Sequence, residues 1–384
     1  MEAKFSAIQS FTLILALLLG TAIIIGTPRL APDVWLVEII AVVPAILMFL
    51  MYTLLFSADS THTGLYSLLV NAWGRYLGKL FVLGYAIYFL YIAARNVRDM
   101  IELVMTTLLR STPPHILVVL FVCLVAYAGT GGIKVLGRLS EVIVGLVILF
   151  FCTLGLFLAM SGSIDMERVL PILSQGAAPI IKASFTSSLW FPYGEIIVFL
   201  VFYSSMGGRA QFRKAGIAAL VTACAVLTLS DLLQICTLGM QYGEYSAFPL
   251  LDAARLIDIA DIITRMDALV AIIIIFGVLL KCAVFLYAGA KGVSSVFRSS
   301  SHSYIFPLAL IIGAMSIMIT HNFAEHGQEG LHYVMYILHI PFQLLLPLLT
   351  GIIIWIRRGK RGDKHDDIKQ TDSGADSNSI DGAG

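Results

Sequence analysis

Apolar runs of about twenty residues, long enough to cross a hydrocarbon core, recur along the whole 384-residue chain between short polar stretches. Ten are legible, near 8–27, 34–56, 80–109, 115–129, 138–160, 180–203, 215–239, 263–290, 303–320 and 333–356. The fourth is short, and the third carries charges toward its end. Lys4 precedes the first run as it would a leader peptide, but no clear small-residue cleavage site follows, so a retained helix is expected. The pattern predicts an all-α integral membrane protein of ten spans.

Basic residues test that count. With an even number of spans both termini share one side; if that side is cytoplasmic, sixteen of the 25 Lys and Arg fall inside. The loop near 321–332 carries Glu325 and Glu329 and no Lys or Arg. The positive-inside bias therefore supports ten spans with both ends cytoplasmic. Residues 1–358 read as one transmembrane unit, and 359–384, rich in Asp, Ser and Gly, as a disordered cytoplasmic tail. Between runs seven and eight, Asp252, Arg255, Asp258 and Asp261 recur every third residue among Leu and Ile, which predicts an amphipathic helix lying at the outer interface or over a pocket.

Run six is interrupted by Phe191-Pro192-Tyr193-Gly194-Glu195. Proline lacks the amide donor and clashes with the preceding turn, and glycine loosens the backbone, so the helix is expected to break there. Unwound backbone at bilayer depth survives only against protein or a water-filled cavity. A carboxylate at a helix centre is disfavoured by roughly 3 kcal/mol on insertion scales, which marks Glu195 as functional. Run one has a similar weak point from Gly20-Thr21 through Gly26 to Pro28. Glycines also serve close helix packing, and for Gly20 and Gly26 both readings are open. If the ten spans are two halves of five, runs one and six correspond. A matched pair of Gly- or Pro-interrupted helices points to an inverted-repeat transporter fold and to its binding site.

Lys281 lies deep in run eight, within Leu279-Leu280-Lys281-Cys282-Ala283, too far from either end to snorkel easily. It needs a partner or loses its proton, and Glu195 is the candidate, directly or through a ligand. Run three presents Tyr88, Tyr91, Arg95, Arg98 and Glu102 on one helical face, with Arg95–Asp99 and Arg98–Glu102 spaced to pair. The stripe either faces the bundle interior as structure or lines a pocket and a water path. Glu141 is expected to pair with Arg138.

Composition agrees with the pattern: 59% hydrophobic, 13% charged, mean hydropathy +0.90. The net charge of +1 and the lack of basic runs give no sign of nucleic-acid binding. Five cysteines stand singly in apolar runs, as buried free thiols would. The eight histidines show no metal-ligand spacing, and no P-loop, zinc-protease motif or nucleophile elbow is present. Neither metal, cofactor nor enzymatic activity is expected.

Several of these stretches are similar to those of a known family. They are the Gly20-Thr21 break with Pro28, Tyr88 to Glu102, Gly137-Arg138-Leu139-Ser140-Glu141, Phe191-Pro192-Tyr193-Gly194-Glu195 and Lys281-Cys282-Ala283-Val284-Phe285-Leu286-Tyr287. Over roughly 5–358 the chain resembles the endospore germination permeases, the B subunits of nutrient-germinant receptors, within the amino acid–polyamine–organocation transporter superfamily. The resemblance implies a LeuT-like 5+5 inverted repeat, partner receptor subunits in the inner spore membrane, and a small nutrient ligand such as an amino acid. It places ligand-binding roles on Gly20, Thr21, Tyr88, the break Pro192-Tyr193-Gly194-Glu195, Lys281 and Phe285; Tyr91, on the same helical face as Tyr88, joins them as a candidate from its spacing. Gly20 to Pro28 is one residue longer than the commonest spacing, and Asn96 stands where some relatives carry a glutamate linked to a proposed water path. The expected function is a receptor subunit whose conformation shifts on nutrient binding; the alternative is a proton-coupled amino-acid or amine transporter.

Overall fold

The computed structural model describes residues 4–25, 33–58, 64–257, 266–319 and 323–357. Among these every regular element is helical. Pro28, Asp258, Asp261 and the 359–384 tail lie outside the described residues. Seven helices are long and apolar enough to cross a membrane: Val34–Leu55, Arg75–Thr107, Gly132–Met160, Ala177–Ser205, Arg209–Gly239, Met266–Phe297 and Tyr333–Arg357. Three shorter apolar helices, Ala7–Leu19, Pro114–Thr130 and His302–Met318, stand at runs one, four and nine. The ten stretches are called segments one to ten below.

Local chemistry sets their ends. Ser6 and Gln9 form a reciprocal capping box that starts segment one, and Pro114 opens segment four where a missing amide costs nothing. Segment three, 33 residues long, spans about 50 Å. That exceeds the hydrocarbon core of about 30 Å, so the helix must tilt or extend beyond it.

Segments of the two halves pack against their counterparts: one with six, two with seven, three with eight and four with nine. That is the contact pattern of a five-helix unit and its inverted copy meeting across a pseudo-two-fold axis. The exposed side chains on the outer faces are large and apolar, among them Val43, Leu47, Leu80, Ile87, Leu149 and Leu310, as a lipid-facing surface requires. Small residues permit the close approaches inside. A Cβ on Gly137 would sit 2.7 Å from the Phe5 ring, and next to it Thr12 and Ser140 share a hydroxyl hydrogen bond of 2.9 Å. The Gly137-Arg138-Leu139-Ser140-Glu141 stretch thus seats segment one on segment five.

Three segments are broken. Helix Ala7–Leu19 stops at Gly20 and resumes as Ala22–Ile25. Segment six runs as an α-helix over Ala177–Ala183, widens to π winding over Ser184–Ser188, opens at 189–192, and continues as a tight 3₁₀ stretch over Tyr193–Ser205. The third break was not expected. Segment ten begins as Phe323–Glu329, about three turns earlier than its apolar run, and is π-wound over Gly330–Leu345 around Pro341.

Other details differ from the sequence reading. Cys123 and Cys152 are exposed, while Cys224, Cys236 and Cys282 are buried; all five are free thiols. An apolar run does not say which of its faces meets lipid. Arg138 and Glu141 are both exposed, and no ion pair joins them among the described residues. The amphipathic helix is Pro249–Arg255, shorter than expected. It buries Leu250, Leu251, Ala253 and Ala254 against segments seven and eight, and Arg255 binds Asp252 at 2.7 Å and Asp267 at 3.5 Å.

Candidate functional site

The breaks in segments one and six meet at Lys281. Its Nζ lies 2.6 Å from Glu195 Oε2, with the side chains 0% and 2% exposed. The ammonium also donates to Thr21 Oγ1 at 2.9 Å and lies 4.7 Å from the centre of the Phe191 ring. Thr21 accepts from an ammonium and so donates onward, to Asn96 Oδ1 at 2.8 Å, and Asn96 Nδ2 donates to the Ile92 carbonyl at 2.7 Å. Every proton in this chain has a direction. Gly20 makes room for it: a Cβ there would stand 2.9 Å from Lys281 Cδ. Both breaks therefore serve one buried ion pair.

Beside Glu195 lies a cavity of about 100 Å³. Segment three supplies Ile92, Arg95, Asn96 and Asp99, segment six Phe191 and Glu195, and segment ten His326, Gly327, Gly330, Val334, Met335 and His339. A drug-sized pocket begins at about 300 Å³, so this space suits a small molecule. Its far wall is charged. Arg95 donates from Nη2 to the His326 carbonyl at 2.7 Å, and among the described residues its Nη1 reaches only Glu329, at 4.0 Å. Asp99 meets the His326 ring at 2.9 Å. Gly330 is close-fitted as well, since a Cβ there would lie 2.6 Å from Arg95 Nη2. The expected Arg98–Glu102 pair is present at 3.7 Å. The expected Arg95–Asp99 pair is replaced by long-range partners on segment ten, because both side chains turn into the bundle and not along their own helix.

A third group closes the inner end. Tyr88 Oη stands 2.7 Å from His339 Nδ1, and Gln343 Nε2 reaches both, at 2.8 and 2.9 Å. With Nδ1 accepting, the imidazole hydrogen sits on Nε2. Tyr88 stacks on Phe342 at 4.9 Å. Tyr85 and Tyr52 donate to the carbonyls of Phe342 and Gln343, partners for backbone oxygens near Pro341 in the π-wound stretch. Gly194 leaves room for the Gln343 amide: a Cβ would lie 1.8 Å from Gln343 Oε1, so that side chain would have to move.

Of the ten residues singled out from sequence, Glu195 lines the cavity. Lys281, Thr21 and Gly20 stand behind it, Tyr88 closes its inner end, and Gly194 sets the seat of Gln343. Pro192 is buried at the break. Tyr193 turns toward Glu38 and Cys224, Phe285 stacks on Phe89 at 5.9 Å, and Tyr91 is half-buried beside the core. Four residues that now matter had no role assigned: Asn96, His326, His339 and Gln343. His339 and Gln343 are four apart inside an apolar run, a spacing that puts two polar side chains on one helical face. That signal was available.

A family model described as spore germination protein matches residues 4–325. Spore germination protein KB of Bacillus subtilis (strain 168) is 29% identical over 372 residues, 96% of this chain and 100% of the relative. Spore germination proteins YndE and A2 of the same organism are 27% and 22% identical, covering 75% and 92% of this chain and 78% and 96% of their own lengths. Among solved structures, Mhp1, a nucleobase-cation-symport-1 family transporter in a closed conformation with bromovinylhydantoin bound, superposes with a TM-score of 0.69 at 12% identity. The match covers 92% of this chain and 78% of that one. At that identity it speaks for the fold, the LeuT-like inverted repeat. With its apolar helices, mated half-bundles and matched family model, the chain belongs to the spore germination permeases, multi-pass membrane proteins of transporter-like fold.

Proposed function

We propose that this chain is the nutrient-sensing subunit of a germinant receptor and that its ligand is a small zwitterion such as an amino acid. The observation that carries this is the charge layout of the cavity: the Glu195 carboxylate on one wall, the Arg95 guanidinium on another, in a space of about 100 Å³. An α-ammonium matches the first and a carboxylate the second, and the site is too small for much more. Glu195 holds Lys281 and Arg95 holds the 326–329 stretch when no ligand competes. A bound zwitterion re-partners both, loosening contacts between segments six and eight and between three and ten. That difference in contacts is what lets a ligand shift a conformational equilibrium. Partner receptor subunits would read the shift.

The same reading sets ten membrane crossings, both termini in the cytoplasm and residence in the inner spore membrane, supported by the basic-residue count. The ten residues singled out from sequence remain proposed ligand-site positions, Glu195 directly and Lys281, Thr21, Gly20, Gly194 and Tyr88 through their neighbours. A proton-coupled amino-acid or amine transporter is the second reading, favoured by the likeness to Mhp1.

Spores carrying Glu195→Gln test the proposal. Because Lys281 then loses its buried partner, the amount of protein in the membrane is measured alongside: the nutrient response per molecule is expected to be lost or to change specificity, and an unchanged response contradicts the proposal. Concentrative uptake of labelled amino acid into vesicles holding this chain alone would select the transporter reading.

A further inference from the structure

On the lipid-facing surface a groove of about 510 Å³ runs between segments three and ten. Leu80, Gly84 and Ile87 line it from segment three, and Phe342, Leu345 and Leu349 from segment ten; every lining residue is apolar. Leu80, Ile87, Leu345 and Leu349 are exposed. Gly84 gives the groove its depth, since a Cβ there would already stand 3.4 Å from the Phe342 ring. That ring is held from the inside. Tyr88 stacks on it at 4.9 Å, Tyr85 meets its edge at 5.2 Å, and the Tyr85 hydroxyl donates to the Phe342 carbonyl at 2.7 Å. This wall is therefore fixed before anything fills the groove.

One end of the groove is basic. Arg75 opens segment three, five residues before Leu80, and Arg357 closes segment ten, eight residues after Leu349. At helical rise these lie roughly 8 and 12 Å past the groove. The short helix Leu65–Trp73 brings the two ends level: Arg357 Nη1 donates to the Asn71 carbonyl at 3.0 Å, and Trp73 Nε1 donates to Thr350 Oγ1 at 3.0 Å. A guanidinium has five N–H donors, so Arg357 keeps several free for a further partner. Both arginines are exposed, and among the described residues no carboxylate pairs with either. The basic-residue count assigns this end to the cytoplasm.

An apolar groove that ends at two unpaired guanidinium groups complements an amphiphile, hydrocarbon along the groove and an anion at its end. Arginine forks match phosphate oxygens two at a time. A partner's helix fits less well. Helices associate in lipid through small residues that let backbones approach, and apart from Gly84 and Pro341 the lining is Leu, Ile and Phe.

We propose that this groove binds one phospholipid with an anionic headgroup, an acyl chain lying across Gly84 against Phe342 and the phosphate held by Arg75 and Arg357. It is separate from the Glu195–Lys281 pair and does not depend on which ligand fills the cavity.

Photolabelling of the full chain in phosphatidylcholine vesicles, with a trace of phosphatidylglycerol carrying a photoreactive acyl chain, reads this directly. Label is expected to concentrate on peptides spanning 80–87 and 341–349. Added unlabelled phosphatidylglycerol should displace it, and the same amount of extra phosphatidylcholine should not. Gly84→Trp fills the groove and should cut this labelling several-fold while sparing label near Leu149 and Leu310; Leu345→Trp makes the same test from segment ten if the first variant does not accumulate. Arg75→Gln with Arg357→Gln should abolish the preference for phosphatidylglycerol. Label spread evenly over the lipid-facing helices, or labelling of the groove untouched by the tryptophan variants, overturns the proposal. Equal displacement by the two lipids does so too, because no headgroup is then recognised. Labelling that falls as the chain is packed more densely would give the groove to a second copy and counts equally against it.

Discussion

Lys281 is the residue on which the most depends. Among the described residues its ammonium is the sole countercharge within bonding distance of Glu195, and it is the donor that sets the direction of the Thr21–Asn96 relay. Removing one member of a buried pair leaves the other uncompensated, at about 3–5 kcal/mol, whereas removing both is often nearly neutral. Lys281→Met is therefore expected to lower the thermal stability of the purified chain, and adding Glu195→Gln to restore most of the loss. Thermal unfolding in detergent checks this; equal damage from the double variant would show that the two do not act as a pair. Gly194 makes an independent claim. Gly194→Ala forces Gln343 out of its seat and is expected to abolish the nutrient response, while Gly194→Ala with Gln343→Ala regains part of it. Failure of that rescue in a spore-response assay would mean that the clash with Gln343 is not what Gly194 avoids. At this scale the sequence was informative wherever a residue type was out of place: Glu195 and Lys281 stand out in apolar runs. Asn96 and His339 did not, since their meaning comes from partners 75 and 251 residues away, Thr21 and Tyr88.

Segment ten is the element that sequence reading underrated. Its apolar run begins near 333, but the helix begins at Phe323, and the added turns carry His326 and Glu329, which hold Asp99 and Arg95. Polar turns at the head of a membrane helix look like loop in a hydropathy pattern, so the extension was invisible. The π winding around Pro341 was equally hidden, because proline announces a disturbance without saying how neighbouring helices satisfy it. Segment six was legible for the opposite reason: Pro, Gly and a carboxylate coincide within a few residues. The Asp99–His326 contact clasps segment three to segment ten at the wall of the cavity. Asp99→Asn weakens it by removing the charge, and a cysteine at Met335, a buried cavity residue, reports the result. Modification of Met335→Cys by an external thiol reagent is expected to be several-fold faster with Asp99→Asn; an unchanged rate would locate the barrier elsewhere.

For the molecule as a whole, the all-helical membrane fold was readable from spacing alone, and the two-by-five arrangement from the matching interruptions in segments one and six. The pairing of counterparts was not readable, since it depends on small residues such as Gly216 and Gly289, where a Cβ would meet Phe49 and Leu90 of the counterpart segment far away in sequence. The proposed orientation rests on the placement of basic residues and is tested by labelling. In intact cells a membrane-impermeant thiol reagent should modify Glu325→Cys and spare Arg75→Cys, both exposed positions. The reverse pattern would invert the topology, and with it the side from which nutrient enters. The central claim is that a zwitterion binds between Glu195 and Arg95. Equilibrium binding of a labelled mixture of neutral amino acids to the purified chain in vesicles measures it most directly. The account predicts saturable binding that Glu195→Gln and Arg95→Gln each reduce by at least about tenfold, the equivalent of one charge-assisted hydrogen bond; saturable binding untouched by both, or none at all in the native chain, would contradict it.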